Sequence, residues 1–341
     1  MLVNEIGGEF HFAKVSNGHK LPLPNGVSDH IFTFAGRTAI ATVLANLSGI
    51  HKAILPSYCC DSMIEPFRSA GIEVCFFDVN FSDGLKIDLS IPSDVDLVFW
   101  CNYFGFDSAM PDLSHFIKRG GIVVEDITHS FFSESPYHPQ SNFLVASLRK
   151  WMPILSGGYC ASINDVFEIR PKNLPPSDFL KKKREAMKLK SEYISGGRGK
   201  KTKFLSLYSD CNAWLAENYE DLRIDKETME ILDHVDARGI RHARVQNAKI
   251  LYEGLKDNKL IKPLFDEDAM RCPLFVPVVI QNGQRDGIRR KLIENSIYCP
   301  IHWPQPRAGC LSNLYEFELS LICDQRYVEK DMKRILSVLC D

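Results

Sequence analysis

Residues 120–133 (GGIVVEDITHSFFS) and 142–159 (NFLVASLRKWMPILSGGY) decide the fold. Ile122-Val123-Val124 is an unbroken β-branched run that ends in two acids, Glu125 and Asp126, with Thr128 and His129 just behind. Such a run marks a strand buried on both faces, as in a parallel sheet. Phe143 to Ala146 repeats the pattern and ends in Ser147, followed by the basic pair Arg149-Lys150. Gly157-Gly158 then opens a third apolar run, Tyr159-Cys160-Ala161. Open α/β sheets bind ligands beyond the carboxyl ends of their strands. An acid, a histidine, a serine and a lysine gathered at such ends make a candidate site.

On the N-terminal side, Ile31 to Phe34 reads as a strand, Gly36 allows close backbone approach, and a helix starts near Thr38. The free amides of a helix N-terminus are a ready anion site. Residues 52–80 read as strand, turn, helix, strand, a βαβ unit. Asp96 to Cys101 is another buried strand, ending in Asn102-Tyr103-Phe104-Gly105, and a helix at 112–119 leads back to the opening stretch. Beyond 162 the pattern changes. The basic run 179–192 (FLKKKREAMKLKSE) predicts a helix with a solvated face, and 195–201 is Gly-rich and basic. Further helices are predicted over 203–219 and 226–256. The last ~80 residues alternate strand and helix, as in a small α+β lobe.

At 341 residues, 45% of them hydrophobic, the chain has material for two lobes. A net charge of -2 argues against nucleic acid as a partner. No apolar run approaches the ~20 residues of a membrane helix, and MLVNEIGGEF lacks the pattern of a signal peptide. The eleven cysteines are scattered, several of them through apolar runs, and form no CxxC pair. That fits free thiols in a cytoplasmic protein and gives no support for a metal site. GGEF at 7–10 matches a diguanylate cyclase loop by four letters only, with nothing around it to support that reading.

The order of strand, Glu-Asp-x-x-His, strand, Ser, Lys and Gly-Gly resembles the fold-type I enzymes that use pyridoxal phosphate (PLP), and more narrowly the DegT/StrS sugar aminotransferases. The resemblance runs from about residue 30 to the end. It implies a three-layer α/β large domain with a mostly parallel sheet and a small C-terminal α+β domain. The divisions are 1–30 as an N-terminal arm or hairpin, 31–225 as the PLP-binding domain, and 226–341 as a linking helix and the small domain. It implies that Asp126 pairs with the ring nitrogen and Lys150 carries the cofactor as a Schiff base. Gly36, Arg37, Thr38 and Ser147 would hold the phosphate, and His129 would lie near the ring. On the substrate side it points to Asn102, Tyr103 and His302. The family's serine usually lies five residues before the lysine; here the spacing is three, which implies a shortened loop.

The chemistry asks for these residue types. PLP works as an electron sink while its ring nitrogen stays protonated, and a buried carboxylate keeps it so. The amine must be neutral near pH 7, which a dry, cationic neighbourhood favours. The family commonly places an aromatic ring over PLP where this chain has Cys60, so Tyr58 or Tyr103 is the nearest substitute ring, unless the sulfur packs there. The expected reaction is transamination of a nucleotide-linked keto sugar with a donor such as glutamate. The alternatives are another PLP reaction, such as sugar dehydration or non-sugar aminotransfer, or an idle binding relative. A homodimer is expected, with the basic loop 196–203 (Arg198, Lys200, Lys201, Lys203) a candidate to reach the partner's site. Asn218-Tyr219-Glu220 lacks the arginine of the family's cross-dimer stretch, so that role is not carried over.

Overall fold

The computed structural model describes residues 5–12, 18–197, 200–307 and 309–340. The first half runs β1 (Ile6–Gly7), β2 (Asp29–Thr33), α1 (Gly36–Ala45), β3 (Lys52–Pro56), α2 (Asp61–Ser69), β4 (Glu73–Phe81), β5 (Leu85–Asp88), β6 (Leu97–Cys101), α3 (Ser114–Lys118), β7 (Ile122–Asp126), β8 (Phe143–Ser147) and β9 (Gly158–Ser162). Four helices follow: α4 (Ser177–Gly196), α5 (Lys201–Glu217), α6 (Lys226–Leu232) and α7 (Ala237–Leu255). The chain ends in β10 (Ile261–Pro263), β11 (Val276–Ile280), α8 (Arg285–Glu294), β12 (Ile297–Tyr298), α9 (Leu314–Phe317), β13 (Glu318–Leu321) and α10 (Glu329–Cys340).

Eight strands pair in the order β2-β9-β8-β7-β6-β3-β4-β5. The central five, β8 to β4, are parallel, whereas β9, β2 and the edge strand β5 run antiparallel to their neighbours. The alternation of side chains explains why these runs had to be unbroken. Phe143 and Val145 of β8 face one core, while Leu144 and Ala146 face another. Cys160 and Ala161 of β9 divide in the same way. Each large aliphatic group so buried is worth ~1.5–3 kcal/mol, and a polar residue on either face would forfeit that. The first core continues without a break into β11, β13 and α10, so the smaller lobe packs directly on the large sheet. Its own sheet is antiparallel, in the order β10-β11-β13.

Three expectations change. The helix predicted over 226–256 is two helices, because Asp225 and Asp236 each cap a new start, accepting from Thr228 N at 2.9 Å and Gly239 N at 2.8 Å. The N-terminal segment forms no hairpin among the described residues; β1 pairs in parallel with β12. The basic face of α4 is not solvated throughout. Lys183 and Lys190 are buried at 5% and 2% exposure, on the same stripe as Phe179, Ala186 and Met187. No helix among the described residues is long and apolar enough to cross a membrane. All eleven cysteines are free.

Candidate active site

A cavity of about 540 Å³ opens at the carboxyl ends of β7 and β8, beside the start of α1. Asp126, the last residue of β7, is 5% exposed, and its Oδ1 accepts from Thr128 N at 2.8 Å. Burial raises its carboxyl to about 6 against the pull of the Thr128 hydrogen bonds and the Lys150 charge. Thr128 ties the two strand ends together: its Oγ1 accepts from Ser147 N at 2.9 Å, and its carbonyl accepts from Trp151 Nε1 at 2.6 Å. Trp151 is fully buried under the Arg244 guanidinium, 4.4 Å from the ring. This anchors the single 3₁₀ turn Leu148–Lys150, which leaves Lys150 exposed to the cavity.

The glycine pair fixes that turn. Gly157 N donates to Phe34 O at 2.7 Å, and Leu148 N donates to Gly157 O at 2.9 Å. A Cβ on Gly158 would stand 2.1 Å from Ala35 O, so only glycine lets β9 lie against the end of β2. Helix α1 then starts with no side-chain cap, its first amides left for another partner. Gly36 brings that start against Ser147; a Cβ there would meet Ser147 Cβ at 3.1 Å.

His129 is 2% exposed. Its Nδ1 accepts from Phe104 N at 3.0 Å, which leaves the proton on Nε2, and burial, aided by Lys150, holds its pKa down to about 3. The ring stacks on Trp303 with centroids 5.7 Å apart. Arg37 and Arg149 also line the cavity, and the Nε of each is buried with no hydrogen-bond partner among the described residues.

The structure thus brings Gly36, Arg37, Asp126, His129, Ser147 and Lys150 to one cavity. Thr38 is behind the wall, its hydroxyl donating to Tyr219 O at 2.6 Å. Asn102 turns to the other face of the sheet, where Nδ2 donates to Glu125 Oε1 at 2.7 Å. Tyr103 is buried and donates to Tyr58 O at 2.7 Å. His302 is buried behind Trp303, with Nδ1 2.7 Å from Ser320 Oγ and its N–H donating to Glu318 Oε2 at 2.7 Å. Neither Tyr58 nor Tyr103 reaches the cavity; Cys60 does, and the nearby ring on its wall is Trp303. Lys201 is held within the chain, by Glu5 Oε2 at 2.7 Å and the Tyr298 hydroxyl, and Lys203 pairs with Glu185 at 2.7 Å. Arg198 lies outside the described residues.

Several wall residues carry no local sequence signal: Glu9 and Phe10 from the N-terminal segment, Lys183 from α4, Asn212 from α5 and Trp303 from the small lobe. No group of three His, Cys, Asp or Glu that could hold a metal occurs among the described residues.

No protein-family model matches the sequence, and no curated protein does. Solved structures do match. One is Helicobacter pylori PseC, an aminotransferase involved in the biosynthesis of pseudoaminic acid. It is 15% identical with a TM-score of 0.67, covering 99% of this chain and 98% of that one. A DegT DnrJ EryC1 StrS aminotransferase from Brucella abortus is 16% identical with a TM-score of 0.62, covering 92% and 86%. A putative sugar aminotransferase from Streptococcus pneumoniae, solved in its PLP form, is 11% identical with a TM-score of 0.62, covering 98% and 97%. The chain therefore has the fold of the DegT/DnrJ/EryC1/StrS-type aminotransferases.

Proposed function

We propose that this chain is a PLP-dependent aminotransferase that aminates a nucleotide-linked keto sugar, with an amino acid such as glutamate as donor. The observation that carries the reading is the meeting of Lys150, Asp126, His129 and the uncapped start of α1 in one cavity. These residues fit PLP at both of its ends. A buried acid and a cavity-facing amine suit the ring and the aldehyde, while uncapped amides and two arginines with orphaned Nε atoms suit the phosphate. When bound, PLP supplies the electron sink.

The chain's own groups do the rest. Asp126 holds the proton on the ring nitrogen. Lys150 would hold the cofactor and would move a proton to and from the substrate carbon. His129 stays neutral and offers its Nε2–H, and Trp303 supplies an aromatic wall. Gly36, Arg37 and Ser147 take the phosphate, with Thr38 contributing its backbone. Of the three substrate-side residues, His302 buttresses Trp303, Tyr103 packs against Tyr58, and Asn102 stays with Glu125 on the other face of the sheet. The sugar part of the reading is supported by the sequence resemblance and by the Streptococcus pneumoniae fold relative, which is described as a putative sugar aminotransferase. Under this reading the working unit is a cytoplasmic homodimer, with residues 1–30, 31–225 and 226–341 as arm, large domain and small domain. Sedimentation as a monomer at micromolar concentration would remove the dimer.

The deciding experiment is a coupled assay of glutamate consumption against a panel of keto sugar nucleotides. Turnover with one of them is the expected result. Turnover only with a free keto acid or aldehyde overturns the sugar assignment.

A further inference from the structure

Four cations line the cavity, Arg37, Arg149, Lys150 and Lys183, against two carboxylates, Glu9 and Asp126. Asp126 closes the strand β7. Glu9 arrives from the N-terminal segment, which nothing in the cofactor reading requires. Lys183, buried inside α4, needs an anion, since an unpaired buried ammonium is costly. It has Glu9 Oε2 at 3.6 Å and the Tyr208 ring 4.5 Å away. Arg37 and Arg149 form no ion pair among the described residues, and burial, with the nearby Arg37 charge, lowers the Arg149 pKa. Burial would push the Glu9 carboxyl up, but Lys183, Lys150 and Arg149 together with an Asn212 hydrogen bond bring it down to about 2. Glu9 is therefore an anion at every working pH, in a pocket of the opposite sign.

The backbone around Glu9 is clamped by several hydrogen bonds, whereas its side chain is held only by the long Lys183 ion pair and the Asn212 contact. Lys190 Nζ donates to Gly7 O at 3.2 Å and to Glu9 O at 2.7 Å. Arg326 donates to Gly8 O and Glu9 O, both at 3.3 Å, and the Tyr208 hydroxyl donates to Phe10 O at 2.7 Å. The Glu9 side chain is 45% exposed, and its ion pair with Lys183 is a long one. Rotation about its own bonds takes the carboxylate out without disturbing the clamp.

We propose that Glu9 is a displaceable internal anion, and that Arg37, Arg149 and Lys183 form an anion subsite within one protomer that a phosphate group enters by expelling the Glu9 carboxylate. A phosphate dianion outcompetes it because it carries twice the charge and offers more acceptors to two guanidinium forks. The inference rests on the cofactor reading only for the natural occupant, which would be the phosphate of PLP; the subsite itself stands on the side chains.

The test is calorimetric titration of inorganic phosphate into the protein after removal of PLP, at low ionic strength. Glu9→Gln is expected to tighten phosphate about tenfold, and Arg149→Gln and Lys183→Met to weaken it about tenfold each. Glu9→Asp separates displacement from simple repulsion. It keeps the charge but falls short of Lys183, so tightening like that of Glu9→Gln supports displacement, and wild-type affinity overturns it. Unchanged or weaker phosphate binding in Glu9→Gln overturns the proposal as well, since Glu9 is then a fixed structural partner. Pyridoxal, which lacks the phosphate, should bind wild type and Glu9→Gln alike; tightening of both ligands also overturns it. A protein that shows the Glu9→Gln gain with phosphate yet never becomes yellow with PLP keeps the subsite and loses the cofactor reading.

Discussion

Asp126→Asn is expected to stabilise the PLP-free protein while crippling it as an enzyme. Burial lifts the Asp126 carboxyl from its ordinary 3.8 to about 6. At 1.36 kcal/mol per pKa unit, the folded state is penalised by about 3 kcal/mol once both folded and unfolded forms are ionised. The sign follows from proton counts: between the unfolded pKa near 4 and the folded value near 6, the native state holds the extra proton. Native stability therefore falls as pH rises through that window, and the whole penalty is present above it. Asparagine removes the charge and can still accept from Thr128 N through its oxygen. The stability gain of Asp126→Asn over wild type should be about 3 kcal/mol at pH 7.5 and about half that at pH 5. Urea denaturation of the two PLP-free proteins at both pH values measures it. With PLP present the order reverses in activity, because a neutral amide holds the ring proton poorly. A variant less stable than wild type at pH 7.5, or a gain that does not shrink on acidification, refutes the argument. Asp126 would then be stabilised as an anion.

Borohydride treatment of the PLP-loaded protein should fix a pyridoxyl group on Lys150, located by mass spectrometry; Lys150→Ala should lose transamination entirely, and a label on any other lysine would mean the site is misplaced. His129, with its pKa held down to about 3 by burial and by Lys150, should show nitrogen shifts of a neutral ring protonated on Nε2 throughout pH 5–8; a titration midpoint inside that range would contradict the Phe104 N to Nδ1 hydrogen bond.

What the sequence determined by itself was whatever depends on neighbours along the chain. A strand-length apolar run with no polar break marks a strand covered on both faces, and Ile122–Asp126 and Phe143–Ser147 are such strands. The acid and the lysine had to stand at the cavity because they come at or just after the ends of those runs. Strand alternation also decides which face a residue takes. Asp126 and Glu125 point to opposite sides, and Asn102 goes with Glu125. Only the tertiary structure brought Lys183 and Glu9 into the site. Lys183 sits in a run of charges that reads locally as a solvated face, and it is buried because α4 packs where Glu9 can meet it. Trp303, rather than Tyr58 or Tyr103, stands on the cavity wall because the small lobe brings Trp303 and Pro304 there. Glu9, Lys183 and Trp303 are separated by more than a hundred residues from one to the next, and no local pattern encodes a contact created by packing two lobes and an N-terminal segment together.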